Sequence, residues 1–232
     1  MYEIRLVCEG PTDLEILKAA LDAHLLGQDY QITMLQPDQS LYGGDAGPHG
    51  GGWKGVRNWC RAAAAAGGME AVGALTTAVK LLVIHVDADI ASDPEHRTSK
   101  PCPPPGPTIE AVERIVLDWL GVSKLPDHVA LWIPCMATEA WVLRALFPEL
   151  PESAPCDTRN ENRTCVECIP KPADGLLGRY PKLVRCKNNE LKKIRIEYVN
   201  ARPEIIRTWS KIVNELTGAH NLQAEFNRWL PQ

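Results

Sequence analysis

Short apolar runs alternate with longer stretches of helical periodicity along the first two thirds of the chain. The runs are rich in branched apolar residues and bounded by turn residues, as buried strands are. They lie at residues 3–8, 30–35, 81–86 and 128–133. The stretches between them repeat apolar residues at helical spacing, over residues 12–26, 54–66, 108–120 and 138–146. This alternation predicts an α/β fold, with a mostly parallel sheet and helices on both faces.

The pattern changes at residue 148, where Pro, Asn and Cys replace the regular alternation. No clear periodicity returns before residue 190, and three helices are then predicted at residues 191–199, 203–216 and 222–230. We therefore divide the chain into an α/β domain, residues 1–147, and a second region, residues 148–232. The second region combines a Cys-containing loop with a helical, basic C-terminal extension.

Composition narrows the class of protein. The chain has 232 residues, of which 45% are hydrophobic, enough for a sizeable core. No apolar stretch reaches the roughly 18–20 residues that cross a membrane, and the first residues are typical of a strand and not of a targeting signal. These features predict a cytoplasmic protein with no membrane partner, whose eight cysteines are reduced thiols.

Charge is distributed unevenly along the chain. The net charge is −4, yet residues 171–211 hold 11 Lys and Arg against 4 Asp and Glu. A basic segment beside an acidic body is typical of a surface that binds nucleic-acid phosphates, although a solvated helix face has the same composition. Seven lysines and arginines are candidate phosphate contacts. Two of them, Lys54 and Arg57, follow a glycine-rich, loop-like stretch at residues 43–53, and the others are Lys182, Arg185, Lys187, Lys192 and Lys193.

Acidic residues stand where the predicted strands end. Glu9 follows the first run, Asp87 and Asp89 follow the third, and Glu139 begins the helix after the fourth. In an open α/β sheet the carboxyl ends of the strands face the crevice that binds ligands. Carboxylates gathered there favour a hard divalent cation, and acids at positions i and i+2 of an extended segment can reach the same ion. These four residues therefore form a predicted Mg²⁺ or Mn²⁺ site.

Each of these acids also has a simpler explanation. Glu9 and Glu139 could balance the positive end of a helix dipole, and aspartates such as Asp87 and Asp89 are common in turns after strands. His85 could point to the crevice by its alternation with Asp87, but a hydrogen-bonded core histidine is the simpler interpretation.

The acidic motifs resemble those of TOPRIM domains. Residues 8–13, Cys-Glu-Gly-Pro-Thr-Asp after an apolar run, and residues 87–89, Asp-Ala-Asp, are similar in type and order to the motifs shared by topoisomerases, primases and OLD-type nucleases. Residues 139–141, Glu-Ala-Trp, are similar to the Glu-x-Trp element of RloB-like proteins linked to bacterial defence. The resemblance covers residues 1–147, except for a Pro-rich insertion at residues 94–107.

The resemblance implies a metal-dependent nuclease that cleaves DNA or RNA in an anti-phage defence setting. It gives Glu9 the role of general acid/base, and Asp87 and Asp89 that of metal ligands. Glu139 is expected to be an auxiliary ligand because of its position at a neighbouring strand end. No ATPase module accompanies the motifs, so a separate ATPase or sensor protein is an expected partner, and homodimer formation is left open. Two alternatives are a non-catalytic subunit that binds nucleotide or metal for a defence complex, and a hydrolase of small nucleotides.

Four cysteines of the second region are candidates for a structural zinc site. Cys165 and Cys168 form a Cys-x-x-Cys pair, with Cys156 before it and Cys186 after it. Four thiolates can hold zinc. The spacing is irregular and lacks a second Cys-x-x-Cys pair, so both a zinc site and four free thiols stay open.

Overall fold

The apolar runs of the first part of the chain form one parallel sheet. The computed structural model describes residues 1–38, 47–96, 98, 102–156, 165–169, 171–180, 182–187 and 190–231. The strands of the sheet are β1 (Tyr2–Val7), β2 (Tyr30–Gln36), β3 (Val79–His85) and β4 (Val129–Trp132). They lie in the order β2-β1-β3-β4, and each neighbouring pair is parallel. The predicted α/β fold with a mostly parallel sheet is confirmed.

Helices cover both faces of this sheet. They are α1 (Pro11–Leu25), α2 (Gly52–Ala65), α3 (Gly106–Leu120) and α4 (Glu139–Leu146). Leu81 and Val83 of β3 point into a core that contains α1 and α4, whereas Leu82 and Ile84 point into a second core with α2 and α3. Alternate residues of the strand thus enter opposite cores, which explains why the strand reads as one uninterrupted apolar run.

The C-terminal part adds a helix, a hairpin and two further helices. They are α5 (Pro172–Arg179), β5 (Val184–Lys187), β6 (Glu190–Lys193), α6 (Arg195–Glu215) and α7 (Thr217–Trp229). The two strands pair antiparallel, apart from the main sheet. Helix α6 packs on α1 and α4, and its buried residues Tyr198, Ile205 and Trp209 join the core on that face of the sheet. The basic extension therefore shares a core with the α/β part.

The predicted helix at residues 191–199 is wrong in its first half. Strand β6 ends at Lys193, and helix α6 begins only at Arg195. The helix then continues through Pro203, where the start of a separate helix was expected. A proline inside a helix costs about 3 kcal/mol. Because residues on both sides of Pro203, such as Tyr198 and Trp209, are buried on one stripe, their packing offsets that cost.

The connections include three short 3₁₀ helices, at Ala88–Ser92, Pro151–Ser153 and Val166–Cys168. Of the predicted loop at 43–53, residues 43–46 lie outside the described residues, and residues 47–51 lead directly into α2.

Among the helices that the structure describes, none is long and apolar enough to cross a membrane.

Candidate active site

The parallel register brings the two acidic motifs to one edge of the sheet. Val7, near the end of β1, pairs with Ile84 near the end of β3. Glu9 and Asp87 each lie two residues beyond the end of their strand, and the N–H of Asp87 donates a hydrogen bond of 2.8 Å to Oε1 of Glu9. Two residues that are distant in sequence therefore lie side by side at the edge where such sheets bind ligands.

His85, the last residue of β3, is buried between two carboxylates. Its Nδ1 lies 3.5 Å from Oδ2 of Asp13, and its Nε2 lies 3.3 Å from Oδ1 of Asp87. The same Nε2 lies 3.0 Å from the hydroxyl of Thr138. Burial opposes protonation of the imidazole, but the charges of Asp13, Asp87 and Glu9 outweigh it and raise the pKa of His85 to about 9. The raised pKa favours the protonated form of this buried ring.

The surroundings of Asp87 and Glu9 shift the pKa values of these two residues in opposite directions. Oδ1 of Asp87 accepts hydrogen bonds from the N–H and the hydroxyl of Thr138, at 3.0 and 3.1 Å. Burial disfavours the Asp87 anion, yet the hydrogen bond and charge of His85 prevail and lower its pKa. For Glu9, burial and then repulsion from Asp87 raise the pKa well above its usual value. The site thus pairs an anionic carboxylate with a carboxyl group that favours its protonated form.

Asp89 extends from the same loop towards solvent. The residue is exposed, but partial burial of its carboxyl group, followed by the charge of Asp87, raises its pKa to about 7. The backbone N–H of Asp89 donates to the carbonyl oxygen of Met136 over 3.2 Å. The segment after β4 therefore holds the Asp-x-Asp loop, and the Asp89 carboxylate is accessible to a ligand.

Glu139, predicted as an auxiliary ligand, is already paired inside the protein. It is 2% exposed, and its Oε1 accepts a 3.1 Å hydrogen bond from the Tyr198 hydroxyl and lies 2.6 Å from Nζ of Lys193. Burial disfavours the ammonium, but the charges of Glu139, Asp13 and Asp87 raise the pKa of Lys193 well above its usual value. The end of β6 therefore inserts a cation into the acidic cluster.

Replacement of Lys193 with alanine would leave Glu139 buried without its cation. We expect Lys193→Ala to lower the free energy of unfolding by about 1–3 kcal/mol, the penalty for leaving a buried polar group without its partner. The matched variant Lys192→Ala removes an exposed lysine of the same strand, and we expect a change below about 0.5 kcal/mol. Urea unfolding followed by circular dichroism measures both, and equal effects would contradict the position of Lys193 in the cluster.

The other predicted phosphate contacts of the hairpin lie on its outer face. Arg185 lies opposite Lys192 in the ladder, and Lys187 lies opposite Glu190. Since alternate residues of a strand share a face, the three cations Arg185, Lys187 and Lys192 lie together, and all three are exposed. Lys193 belongs to the opposite face, which explains why it alone of these residues reaches the acidic cluster.

The remaining predicted contacts are more dispersed. Lys54 and Arg57 lie in the first turns of α2, where both pack against the ring of Trp53, at 5.4 and 5.1 Å from its centre. Arg57 also forms a 2.6 Å ion pair with Glu95, which neutralises part of its charge. Lys54 and Lys182 are exposed.

Sequence reasoning did not identify Asp13, Thr138 or Tyr198 as parts of this site. Asp13 accepts a 2.8 Å hydrogen bond from the N–H of Gly10 at the start of α1, and its other contact is His85. The alternation of His85 with Asp87 was a signal for the histidine. Tyr198 comes from a helix far along the chain, and no local pattern indicates its approach to Glu139.

The zinc ligands predicted from sequence need one correction. Cys186 is exposed on β5 and does not join the other cysteines. The ligand atoms of Cys156, Cys165 and Cys168 lie within 4.8 Å of one another, so this cluster could hold a metal ion. The expectation of reduced thiols also differs from the structure, in which Cys102 is bonded to Cys168, and Cys156 to Cys165. Folding brings these sulfurs into contact from three separate segments.

Comparison of the chain with protein-family models, with curated proteins and with solved structures found no match.

Proposed function

We propose that the protein is a metal-dependent nuclease of the TOPRIM type, which hydrolyses phosphodiester bonds of nucleic acid at the carboxyl edge of the sheet. One observation carries the proposal: Glu9 and Asp87, from two distant motifs, meet beside the buried His85, whose Nε2 lies 3.3 Å from Oδ1 of Asp87. This arrangement supplies a carboxyl group with a raised pKa next to an anionic carboxylate, a pairing suited to acid–base chemistry. The setting in bacterial anti-phage defence rests on the resemblance alone.

The carboxylates of Glu9, Asp87 and Asp89 have oxygens that can bind a divalent cation. Oε1 of Glu9 and Oδ1 of Asp87 are engaged in hydrogen bonds. Their second oxygens, and the carboxylate of Asp89, accept no hydrogen bond from the part of the chain that the structure describes. Repulsion from Asp87 contributes to the raised pKa values of Glu9 and Asp89, and a cation would relieve it. Oxygen donors of this kind fit Mg²⁺ or Mn²⁺, which when bound would neutralise and orient a substrate phosphate.

The residues of the chain have distinct roles in this proposal. Glu9 is the general acid/base, because burial and repulsion from Asp87 raise its pKa well above the usual value, so that its carboxyl group can hold and release a proton. Asp87 and Asp89 hold the metal, and His85 and Thr138 orient Asp87 through contacts of 3.3 and 3.0 Å. Glu139 anchors Lys193 at the edge of the site.

A long polyanion is the substrate class that the charge distribution favours. The exposed face of the hairpin places Arg185 directly opposite Lys192, and like charges in that position destabilise a hairpin. A phosphate backbone over this face would relieve the repulsion. Lys193, on the other face of the same strand, reaches the acidic cluster, so the hairpin that carries these cations lies next to the proposed cleavage site.

Asp89 offers the sharpest test, because it is exposed and its replacement does not disturb the core. With limiting Mg²⁺ or Mn²⁺, we expect Asp89→Asn to reduce cleavage of plasmid, single-stranded DNA or tRNA by at least about 10–100-fold. The control Asp127→Asn removes an exposed aspartate that precedes β4, at the opposite edge of the sheet, and should cleave like the wild type. EDTA should abolish cleavage in every variant. Cleavage that persists in EDTA, or equally in Asp89→Asn, would contradict the proposed site.

A non-catalytic role has one observation in its favour. The Lys193–Glu139 pair places a protein cation within the acidic cluster, where it could hold a nucleotide phosphate without hydrolysis. The chain would then be a nucleotide- or metal-binding subunit of a defence complex with a separate ATPase partner. This alternative predicts saturable binding of nucleotide by calorimetry with no turnover of any polynucleotide, whereas the nuclease proposal requires turnover.

A further inference from the structure

Sulfur atoms from separate parts of the chain converge beside the segment that follows β4. Sγ of Cys156 lies 4.0 Å from Sγ of Cys168, and Cys165 belongs to the same group. Cys102, four residues before α3, joins the group through its bond with Cys168. Cys165 and Cys168 are buried, and Cys102 and Cys156 are half-buried. Three sulfurs thus lie within 4.8 Å of one another, and the fourth, that of Cys102, is bonded to one of them.

We propose that Cys102, Cys156, Cys165 and Cys168 bind one zinc ion as four thiolates when their sulfurs are reduced. Binding converts four thiols to thiolates and releases four protons, with no change in the oxidation state of zinc or sulfur. Four protein ligands close the coordination sphere, so the centre is structural and has no position for a substrate. The proposal is therefore independent of the nuclease function.

The separation and the spacing of the sulfurs both suit zinc. Four Zn–S bonds of about 2.3 Å in a tetrahedron place the sulfurs about 3.8 Å apart, and the gap between Cys156 and Cys168 is 4.0 Å. Cys165 and Cys168 form the Cys-x-x-Cys spacing of a zinc ligand pair. In the structure these two cysteines bond to different partners and not to each other, yet both sulfurs enter one cluster. The same four sulfurs can therefore form two disulfides when they are oxidised, or one zinc site when they are reduced.

The fourth ligand is Cys102 and not Cys186. Cys186 is exposed on β5, away from the cluster. Cys135 is a free, buried thiol whose Sγ lies 3.6 Å from that of Cys102, so it is a neighbour of the proposed centre. Because Cys102 is directly bonded to a member of the cluster and zinc accepts four ligands, Cys135 is left as a thiol beside the ion.

The centre would hold the start of helix α7 in place. Glu167 lies between the two cysteines of the Cys-x-x-Cys pair and is fully buried. Its carboxylate accepts hydrogen bonds from the N–H groups of Thr217 and Gly218, at 2.9 and 3.1 Å, in the first turn of α7. An anion at this end of a helix is stabilising, so an ion that positions Glu167 also fixes the C-terminal helix.

The other side of the cluster faces the candidate active site. Cys102 contacts Cys135, and the next residue, Met136, accepts the hydrogen bond from the N–H of Asp89. Loss of the ion is therefore expected to loosen the Asp-x-Asp loop as well as α7.

Metal and thiol content of the whole chain test the proposal without reference to activity. The protein is purified under anaerobic conditions with a phosphine reductant, passed over a desalting column and measured by elemental analysis. We expect one zinc ion per chain and, after denaturation with a chelator, eight thiols that react with iodoacetamide, the full cysteine content. Only four reactive thiols, as in the disulfide-bonded form, with no zinc bound, would overturn the proposal. Iron in place of zinc would also overturn it.

Four serine variants identify the ligands. Cys102→Ser and Cys168→Ser should lower the zinc content from one ion per chain to near zero. Cys186→Ser and Cys135→Ser should retain the full content, because both residues lie outside the proposed ligand set. Loss of zinc from Cys135→Ser with retention in Cys102→Ser would overturn the assignment of ligands. If the ligand variants fail to fold, the zinc and thiol content of the wild type still decides the proposal.

Discussion

Glu9→Gln is expected to lower metal-dependent cleavage by about 10²–10⁴-fold, the usual contribution of a general acid/base. Glutamine keeps the size of glutamate and an Oε1 that can accept the hydrogen bond from the N–H of Asp87. It cannot exchange a proton at neutral pH. The loss should therefore fall on turnover and leave the thermal unfolding temperature close to that of the wild type. Single-turnover cleavage at saturating Mg²⁺ measures the chemical step.

The control for this prediction is Glu113→Gln. Glu113 is an exposed residue of α3, so the same chemical change there should leave the rate unaltered. Wild-type cleavage by a folded Glu9→Gln protein would remove Glu9 from the mechanism. Equal loss in both variants would point to a general effect of charge and not to a specific site.

Trp141→Ala is expected to give the largest loss of stability, about 3–5 kcal/mol. Trp141 lies in α4 and is fully buried. Its ring lies between those of Trp132 in β4 and Trp209 in α6, with centroid distances of 5.6 and 5.7 Å. Removal of the ring leaves a cavity where the sheet meets two helices, and it also removes two aromatic contacts. Urea unfolding at constant m-value measures the change in free energy.

Two further tryptophan variants separate packing from polarity. Trp229→Ala makes the same change at a partly exposed position and should lower the free energy of unfolding clearly less than Trp141→Ala does. Trp141→Phe keeps an aromatic ring and removes the indole N–H, which has no hydrogen-bond partner within the described part of the chain. Because that donor is buried and unpaired, its loss is not penalised, and we expect a smaller effect than with alanine. A cost of Trp229→Ala equal to that of Trp141→Ala would contradict this account of the core.

The main sheet was predictable because its strands are buried on both faces. Residues 81–86 read as a single apolar run, and the observed strand Val79–His85 differs from that prediction by only one or two residues at each end. The short hairpin was not predictable in the same way. Its strands have four residues each, too few to show a period of two, and the apolar residues near its second strand imitate helical spacing.

The acidic residues of the candidate site were identified from sequence because strand ends are easy to locate. Glu9, Asp87 and Asp89 each follow a predicted strand, and parallel strands carry such residues to one edge of the sheet. The protonation behaviour of these carboxyl groups could not be predicted from sequence. The hydrogen bond and charge of His85 lower the pKa of Asp87, whereas burial and the charge of Asp87 raise the pKa of Glu9. Neither burial nor distance is contained in a local pattern.

The α/β architecture and the edge of the sheet at which the acids lie were predictable from sequence, because both follow from local periodicity and from where the strands end. The distant groups that join these acids became known only from the folded chain. It placed Lys193 from the hairpin against Glu139, and it placed Cys102 and not Cys186 with the other cysteines. Such contacts depend on how separate elements pack, and no sequence spacing encodes them.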